Sequence, residues 1–259
     1  MSGALNEKHA LVTGAGRGIG LAIALGLARQ GAALTLTARS PGPLDAAAED
    51  CEQAGAHSVA IEVCDLSDRD QLEELAETVA CSADILVNNA GTAPSAPHER
   101  SSDGLWDDTM ALNAFAPFAL TRAALPDMAE RGFGRIVNVA STAALEGYAY
   151  TAVYVASKHA LLGLTRAAQA EVDLRWKDAD LSVNAVCPGF VDTAIVAEAV
   201  ARLVARTDLD EAAAKERLAA MNPGGRLLMP AEVADAVVAL ACESPVVSRG
   251  AAVRLPHVD

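Results

Sequence analysis

A hydroxyl, a phenol and an ammonium lie close together in the stretch from Ser141 to Lys158, STAALEGYAYTAVYVASK. Tyr154 and Lys158 are four residues apart, so on a helix they share one face at a spacing of about 6 Å along the axis. That spacing predicts the ammonium beside the phenol. A free phenol gives up its proton near pH 10, and exchange at neutrality needs about 4 kcal/mol of differential stabilisation of the phenolate. A neighbouring cation supplies part of it. Ser141 follows the strand-like run 135–140 and would offer its hydroxyl to the oxygen that Tyr154 protonates. A Tyr and a Lys at helical spacing also arise by chance on amphipathic helices, so the elements around them must decide.

Residues 9–13 read as a short buried strand that runs into the turn Thr13-Gly-Ala-Gly-Arg-Gly-Ile-Gly20, which opens an apolar helix over 19–30. Glycines at 14, 16, 18 and 20 clear side chains from a place where a pyrophosphate must approach the backbone, and the first helical N–H groups, with Ile19 among them, face it. A purely structural turn is the plainer reading, which the flanking strand and helix disfavour. A second strand over 33–37 is followed by Ala38-Arg39-Ser40, where a NAD-type site would place an acid for the ribose hydroxyls. Arg17 and Arg39 are therefore candidates for a 2′-phosphate, against the alternative that both are solvated loop arginines.

Helices over 44–54 and 68–80 flank a strand at 58–62 that leads into Cys64-Asp65-Leu66. Asp65 either faces an adenine amino group or caps its own loop. The next strand, 84–88, ends in Asn89-Ala90-Gly91, at the carboxyl end where open parallel sheets bind ligands. Residues 102–131 read as two helices, with Asn113 in apolar surroundings. An Asn there competes with the backbone for hydrogen bonds, so it either kinks the helix around water or does chemistry. A fifth strand delivers Ser141, a helix over 151–176 carries Tyr154 and Lys158, and a sixth strand over 181–186 precedes Pro188 and Gly189. Residues 190–226, charged and Ala-rich without a strand pattern, read as a mobile helical lid; a helix over 230–242 and a strand over 250–255 close the chain.

Bulk composition agrees with one globular α/β domain over 1–259. The 259 residues are 52% hydrophobic with a mean hydropathy of +0.23 and only 3% aromatic, which suits aliphatic helices packed on buried parallel strands. No apolar run spans a bilayer and the first residues carry no signal-type segment, so the expected location is the cytoplasm, without membrane attachment. Cys51, Cys64, Cys81, Cys187 and Cys242 have no CxxC pairing and read as reduced core residues, and the scattered histidines, His257 the last, complete no metal site. A formal charge of −14 argues against nonspecific binding to nucleic acid or anionic lipid.

In order and spacing, the motifs TGxxxGxG at Thr13 to Gly20, NNAG at Asn88 to Gly91, the lone Asn113, Ser141, YxxxK at Tyr154 to Lys158, and Pro188-Gly189 resemble a classical short-chain dehydrogenase/reductase along nearly the whole chain. That resemblance implies a Rossmann-type, doubly wound sheet of seven parallel strands with helices on both faces. It implies that Tyr154 is the general acid/base and that Ser141 orients substrate and tyrosine. Lys158 would bind the nicotinamide ribose and lower the tyrosine pKa, Asn113 would hold a relay water, and Val191 and Thr193 would touch the carboxamide. With Gly14, Gly16, Arg17, Gly18, Ile19, Gly20, Arg39, Ser40, Asp65, Leu66, Asn89, Ala90, Gly91, Pro188 and Gly189, these residues make the expected cofactor site, NADP(H) being preferred and NAD(H) the alternative.

Around Ser141 to Thr193 the chain is most similar to bacterial 3-oxoacyl-thioester reductases and aromatic polyketide ketoreductases, which implies a ketone or acyl-thioester substrate; the helices over 112–131 and 151–176, richer in Ala and Leu than one sheet face needs, predict a homotetramer through pairing with their symmetry mates. A secondary-alcohol, cyclic-ketone or steroid-type dehydrogenase is the rival expectation, and a non-catalytic dinucleotide-binding regulator a more distant one. Arg131 and Arg175 are placed to meet an acidic carrier or CoA phosphates, or simply water. In place of the family's usual D-G-G tail the chain ends Val253-Arg-Leu-Pro-His-Val-Asp259, which bears on both assembly and the pocket rim.

Overall fold

The alternation of short aliphatic runs with amphipathic helices produces a parallel sheet buried on both faces. The computed structural model describes residues 3–256, so His257 and the rest of the terminal tripeptide lie outside the described residues. In chain order the elements are β1 (His9–Thr13), α1 (Gly18–Arg29), β2 (Ala33–Ala38), α2 (Pro41–Ala54), β3 (Ser58–Val63), α3 (Arg69–Thr78), β4 (Ile85–Asn88), α4 (Asp103–Met110) and α5 (Ala116–Arg131). There follow β5 (Phe133–Val139), α6 (Ala152–Arg175), β6 (Asp180–Pro188), α7 (Ala194–Val204), α8 (Glu211–Ala219), α9 (Pro230–Cys242) and β7 (Ala252–Leu255).

The seven strands run parallel in the order β3-β2-β1-β4-β5-β6-β7. The two-residue period of β1 sends Ala10 and Val12 to one face, where they pack with Ile23 and Leu27 of α1 and Val233 and Val237 of α9. Leu11 points to the other face and joins Leu72 of α3 and Leu120 and Met128 of α5. Because both faces are covered, the strands read as continuous apolar runs. Full burial of each such Leu or Ile side chain contributes about 1.5–3 kcal/mol.

β1 has β2 on one side and β4 on the other, so consecutive connections leave in opposite directions and a crevice opens at their carboxyl ends. The loops after β1, β4, β5 and β6 meet there. Asp68 caps α3 by accepting hydrogen bonds from the Asp70 and Gln71 N–H groups, and Asp70 keeps an acid in the first turn. The two helices expected over 102–131 are joined by a wide π turn at Ala111–Phe115. The lid resolves into α7 and α8, and its two ends are tied together by a bridge between Val191 and Leu228. Among the described residues no helix is long and apolar enough to cross a membrane, and no group of three His, Cys, Asp or Glu side chains is arranged to hold a metal ion.

Candidate active site

The crevice is one continuous cleft of ≈ 1610 Å³, and every expected site residue except Asn113 lines it. Asn113 lies behind its wall, fully buried.

At one end sits the glycine turn. Gly14 and Gly18 adopt positive φ of 66° and 58°, which a side chain would strain. A Cβ on Gly20 would lie 2.1 Å from the Gly14 carbonyl oxygen, so only glycine lets the turn close on α1. Arg17 precedes α1 in extended conformation without capping it, and no acid stands in the first helical turn. The N–H groups there keep the partial positive charge of the helix end exposed to the cleft, as a diphosphate requires. Thr13 and Asn89 brace this arrangement. The Thr13 hydroxyl accepts from the Asn89 and Ala90 N–H groups at 2.9 and 3.0 Å, and Asn89 Nδ2 donates to the carbonyls of Thr13 and Gly14. Thr193 comes over the turn from the opposite wall, its Cγ2 3.5 Å from where a Gly18 Cβ would be.

Arg39 and Ser40 are exposed after β2, as is Arg17. Asp65 lies near Arg39, but its Oδ1 already accepts from the Ser67 N–H and hydroxyl at 3.0 and 2.6 Å. The Ser67 hydroxyl, the Ser67 amide and Arg39 all hold the Asp65 carboxyl below its ordinary range, against a smaller upward push from burial. Loop capping, the plainer of the two expectations, is thus what Asp65 does here.

Further along, Ser141 stands in extended backbone two residues past β5, and its Oγ accepts from the Ala143 N–H at 3.1 Å. That contact uses an acceptor site and leaves the hydroxyl proton free to donate. Burial pushes the Tyr154 phenol up, the Ser141 hydroxyl pulls it partly back, and Tyr148 and Cys187 push it further up. Lys158 does not offset this. Its Nζ lies 5.9 Å from the Tyr154 ring centre and donates to the Val139 carbonyl at 2.9 Å. The ammonium expected beside the phenol thus lies over the Tyr154 ring, on the helix face the two residues share, with its head also reaching the carbonyl at the end of β5. Desolvation there brings the Lys158 ammonium down to about 8.

Asn113 is bonded into the protein on both sides of its amide. Its Oδ1 accepts from the Thr92 N–H at 2.9 Å, and its Nδ2 donates to the Thr92 carbonyl at 2.8 Å and to Ser157 Oγ at 3.0 Å. Ser157 in turn donates to the Tyr154 carbonyl at 2.8 Å. These bonds tie the loop after β4 to the helix of Tyr154, across the π turn that carries Asn113.

Several residues that shape the cleft carried no signal in the sequence. Asn222, buried at the end of the lid, accepts from the Phe190 N–H and donates to the carbonyls of Phe190 and Arg226. A Cβ on Gly189 would lie 2.2 Å from its Oδ1, which gives that glycine a packing role. Tyr148 packs edge-on against Phe190, with 6.3 Å between ring centres, donates to Glu146 and accepts from the Thr142 hydroxyl; Glu146 is held by Arg254 of β7 at 2.8 Å. Through Arg254 the atypical C-terminal strand reaches the substrate end of the cleft.

Arg131 and Arg175 lie at the far end of the sheet. Arg131 pairs with Asp84 at 3.3 Å and donates to the carbonyls of Cys81 and Ala83, while Arg175 sits beside Glu171 and over the Trp176 ring. Neither lines the cleft. Helices that return to the amino-terminal edge of a parallel sheet end away from its ligand crevice, and both arginines close such helices. All five cysteines are unpaired; Cys51, Cys64 and Cys187 are buried, whereas Cys81 and Cys242 are only partly so.

Residues 8–203 match the family model described as short chain dehydrogenase. Over 252 residues the chain is 37% identical to a D-beta-hydroxybutyrate dehydrogenase of Cupriavidus necator, covering 95% of each protein. It is 36% identical to a 3-oxoacyl-(acyl-carrier-protein) reductase of Pseudomonas aeruginosa, covering 96% of each. The actinorhodin polyketide ketoreductase with NADPH superposes with a TM-score of 0.89 at 33% identity, over 98% of this chain and 97% of that one.

Proposed function

The chain belongs to the short-chain dehydrogenase family of oxidoreductases, and from that premise we propose that it is an NADP(H)-preferring reductase of 3-oxoacyl thioesters, working as a single domain over 1–259. The observation that carries the reading is the convergence of Ser141, Tyr154 and Lys158 on one cleft with an uncapped helix end at its other pole. The 3-oxoacyl reductase and polyketide ketoreductase relatives support the substrate class. The nicotinamide cofactor supplies the hydride when bound.

The chain's own residues do the rest. The glycine turn and α1 hold the diphosphate, with Asn89, Ala90 and Gly91 along the dinucleotide and Val191 and Thr193 against the nicotinamide end. Ser141 donates its free proton to the substrate oxygen and fixes its distance from Tyr154. Tyr154, whose phenol burial keeps protonated at neutrality, gives its proton to the oxygen as negative charge builds on it. Asn113, through Ser157 and Thr92, is a positioning residue for the loop and helix on either side.

A nicotinamide-absorbance assay over acetoacetyl thioesters, 3-hydroxybutyrate, and cyclic and aryl ketones tests the substrate. Failure on every acetoacetyl thioester, with brisk turnover of the simple ketones, would move the assignment to the alcohol-dehydrogenase class. The hydroxybutyrate dehydrogenase relative makes 3-hydroxybutyrate the most informative competitor.

NADP(H) preference rests on Arg17 and Arg39, exposed beside the adenosine end of the cleft with no carboxylate after β2. A charge-assisted bond contributes about 1.5–3 kcal/mol, or roughly tenfold in affinity even at partial exposure. Asp65 beside Arg39 opposes this, but its carboxylate is occupied by Ser67. Arg39→Asp is expected to lower kcat/KM for NADP(H) by about tenfold or more and to leave or improve it for NAD(H). Equal losses with both cofactors would show that Arg39 does not read the phosphate.

The assembly we propose is a homotetramer. An apolar hollow of ≈ 780 Å³ lies across α4, α5 and α6, lined by Phe115, Phe118 and Leu164, and Trp106 of α4 is 46% exposed. Apolar surface of that kind favours a second copy over water. Light scattering at micromolar concentration should give about four times the 26.6 kDa chain mass, and a monomeric mass would refute it.

A further inference from the structure

The cleft has a charge balance opposite to that of the chain. The protein carries 34 acidic residues and 20 Lys or Arg. Of the residues lining the cleft, Asp65 is the single acid, against the cations Arg17, Arg39, Lys158, Arg100, Arg202, Arg206 and Arg217. Arg17 and Arg39 serve the adenosine end and Lys158 the reacting centre. The other four stand around the outer mouth, on the loop after β4 and on the lid.

This is a selective placement rather than a spread of surface charge. Ile195, Ala199, Arg202, Leu203 and Arg206 follow helical spacing on the cleft side of α7 and its extension, while Glu198, in the same helix, is left off it. Other lid cations have acidic partners: Lys215 holds Asp192 at 3.0 Å and Arg226 holds Glu232 at 2.6 Å. Among the described residues Arg100, Arg206 and Arg217 are in no ion pair, and Arg202 has only Glu198 at 3.7 Å. The Arg202 Nε is buried without a hydrogen-bond partner, a donor that the fold itself leaves unused. A low-dielectric cleft lined by one sign of charge concentrates the opposite one.

Resting on the thioester reading above, we propose that Arg202, Arg206 and Arg217 of the lid, with Arg100 of the same cleft, bind the phosphate of the substrate's phosphopantetheine arm. Planar guanidinium groups suit a phosphate, and Ile195, Ala199 and Leu203, which line the same cleft from the helix of Arg202, suit the uncharged arm that links phosphate to thioester. The same phosphate occurs in CoA and on a carrier protein. A free 3-hydroxy acid has no group that reaches from the reacting carbon to this mouth.

The test is calorimetric titration of the full chain saturated with NADP(H), so that the adenosine end is already filled. CoA, 4′-phosphopantetheine and phosphate-free pantetheine are each titrated into the parent, Arg206→Gln/Arg217→Gln and Arg175→Gln. CoA and 4′-phosphopantetheine should bind the parent at least about tenfold more tightly than pantetheine, and the double variant should lose that advantage. Arg175→Gln, at the other end of the sheet, should bind like the parent. Phosphopantetheine binding no tighter than pantetheine, or a double variant that keeps the advantage, would overturn the proposal. The thioester reading fails separately, by absence of turnover of acetoacetyl thioesters. Turnover of acetoacetyl-CoA and of acetoacetyl-N-acetylcysteamine with the same KM would remove the arginine site and leave that reading standing.

Discussion

Tyr154→Phe should fold, keep its cofactor affinity and lose between about 10² and 10⁴ in turnover, the usual contribution of a positioned general acid. The change removes one oxygen from a ring whose packing is otherwise unchanged. The phenol's neighbour, the Ser141 hydroxyl, is separately anchored through the Ala143 N–H, so loss of the phenol oxygen leaves the fold supported. Burial matters more here than a neighbouring cation. It raises the Tyr154 phenol, and the Ser141 hydroxyl only partly reverses that. A raised phenol is a weaker acid, but it stays protonated through neutral pH, so the proton donor that carbonyl reduction needs is loaded. Activity of Tyr154→Phe within a few-fold of the parent, with NADPH oxidation followed by absorbance, would exclude Tyr154 as the proton donor.

The sheet could be read from the sequence because its information is local. Most strands are short, largely aliphatic runs ended by glycine or a polar turn, and some helices bring their own cap, as Asp68 does for α3 and Asp210 for α8. The glycine turn was legible for the same reason, since strand, turn and helix are contiguous. What escaped is long-range. Lys158 was placed on the correct face, yet the partner of its head, Val139, is 19 residues away on another element. Asn113 was singled out as costly in a helix, but only the fold shows Thr92 and Ser157 satisfying it. Arg254 and Glu146 are 108 residues apart, and no periodicity links them. The lid arginines were invisible for a different reason: an exposed arginine has the same local pattern whether it faces bulk water or a cleft.

Lys158→Met should cost about 10² or more in turnover and weaken cofactor binding, with little change in stability. The aliphatic stem is buried, at 5% exposure, and methionine keeps most of that packing. Removing the ammonium takes away a buried charge whose pKa is lowered from 10.5 to about 8, a desolvation penalty on the order of 3 kcal/mol at neutral pH. It also deprives the Val139 carbonyl of a donor, at about 1–3 kcal/mol, so the two effects roughly offset. Function has no such compensation, because the one cation that the described residues bring to the reacting centre is lost. The sign of the pH dependence follows from the same burial. With a folded pKa near 8, the lysine is charged below that pH and neutral above it, so reduction by the parent should hold steady at lower pH and fall as pH rises through about 8. The Tyr154 phenol, raised above its ordinary value, remains protonated across that window and does not contribute to the fall. In Lys158→Met the inflection near 8 should vanish from the remaining rate. An inflection that persists in the variant would assign it to another group, and thermal melts of both proteins over the same pH range would separate loss of chemistry from loss of fold.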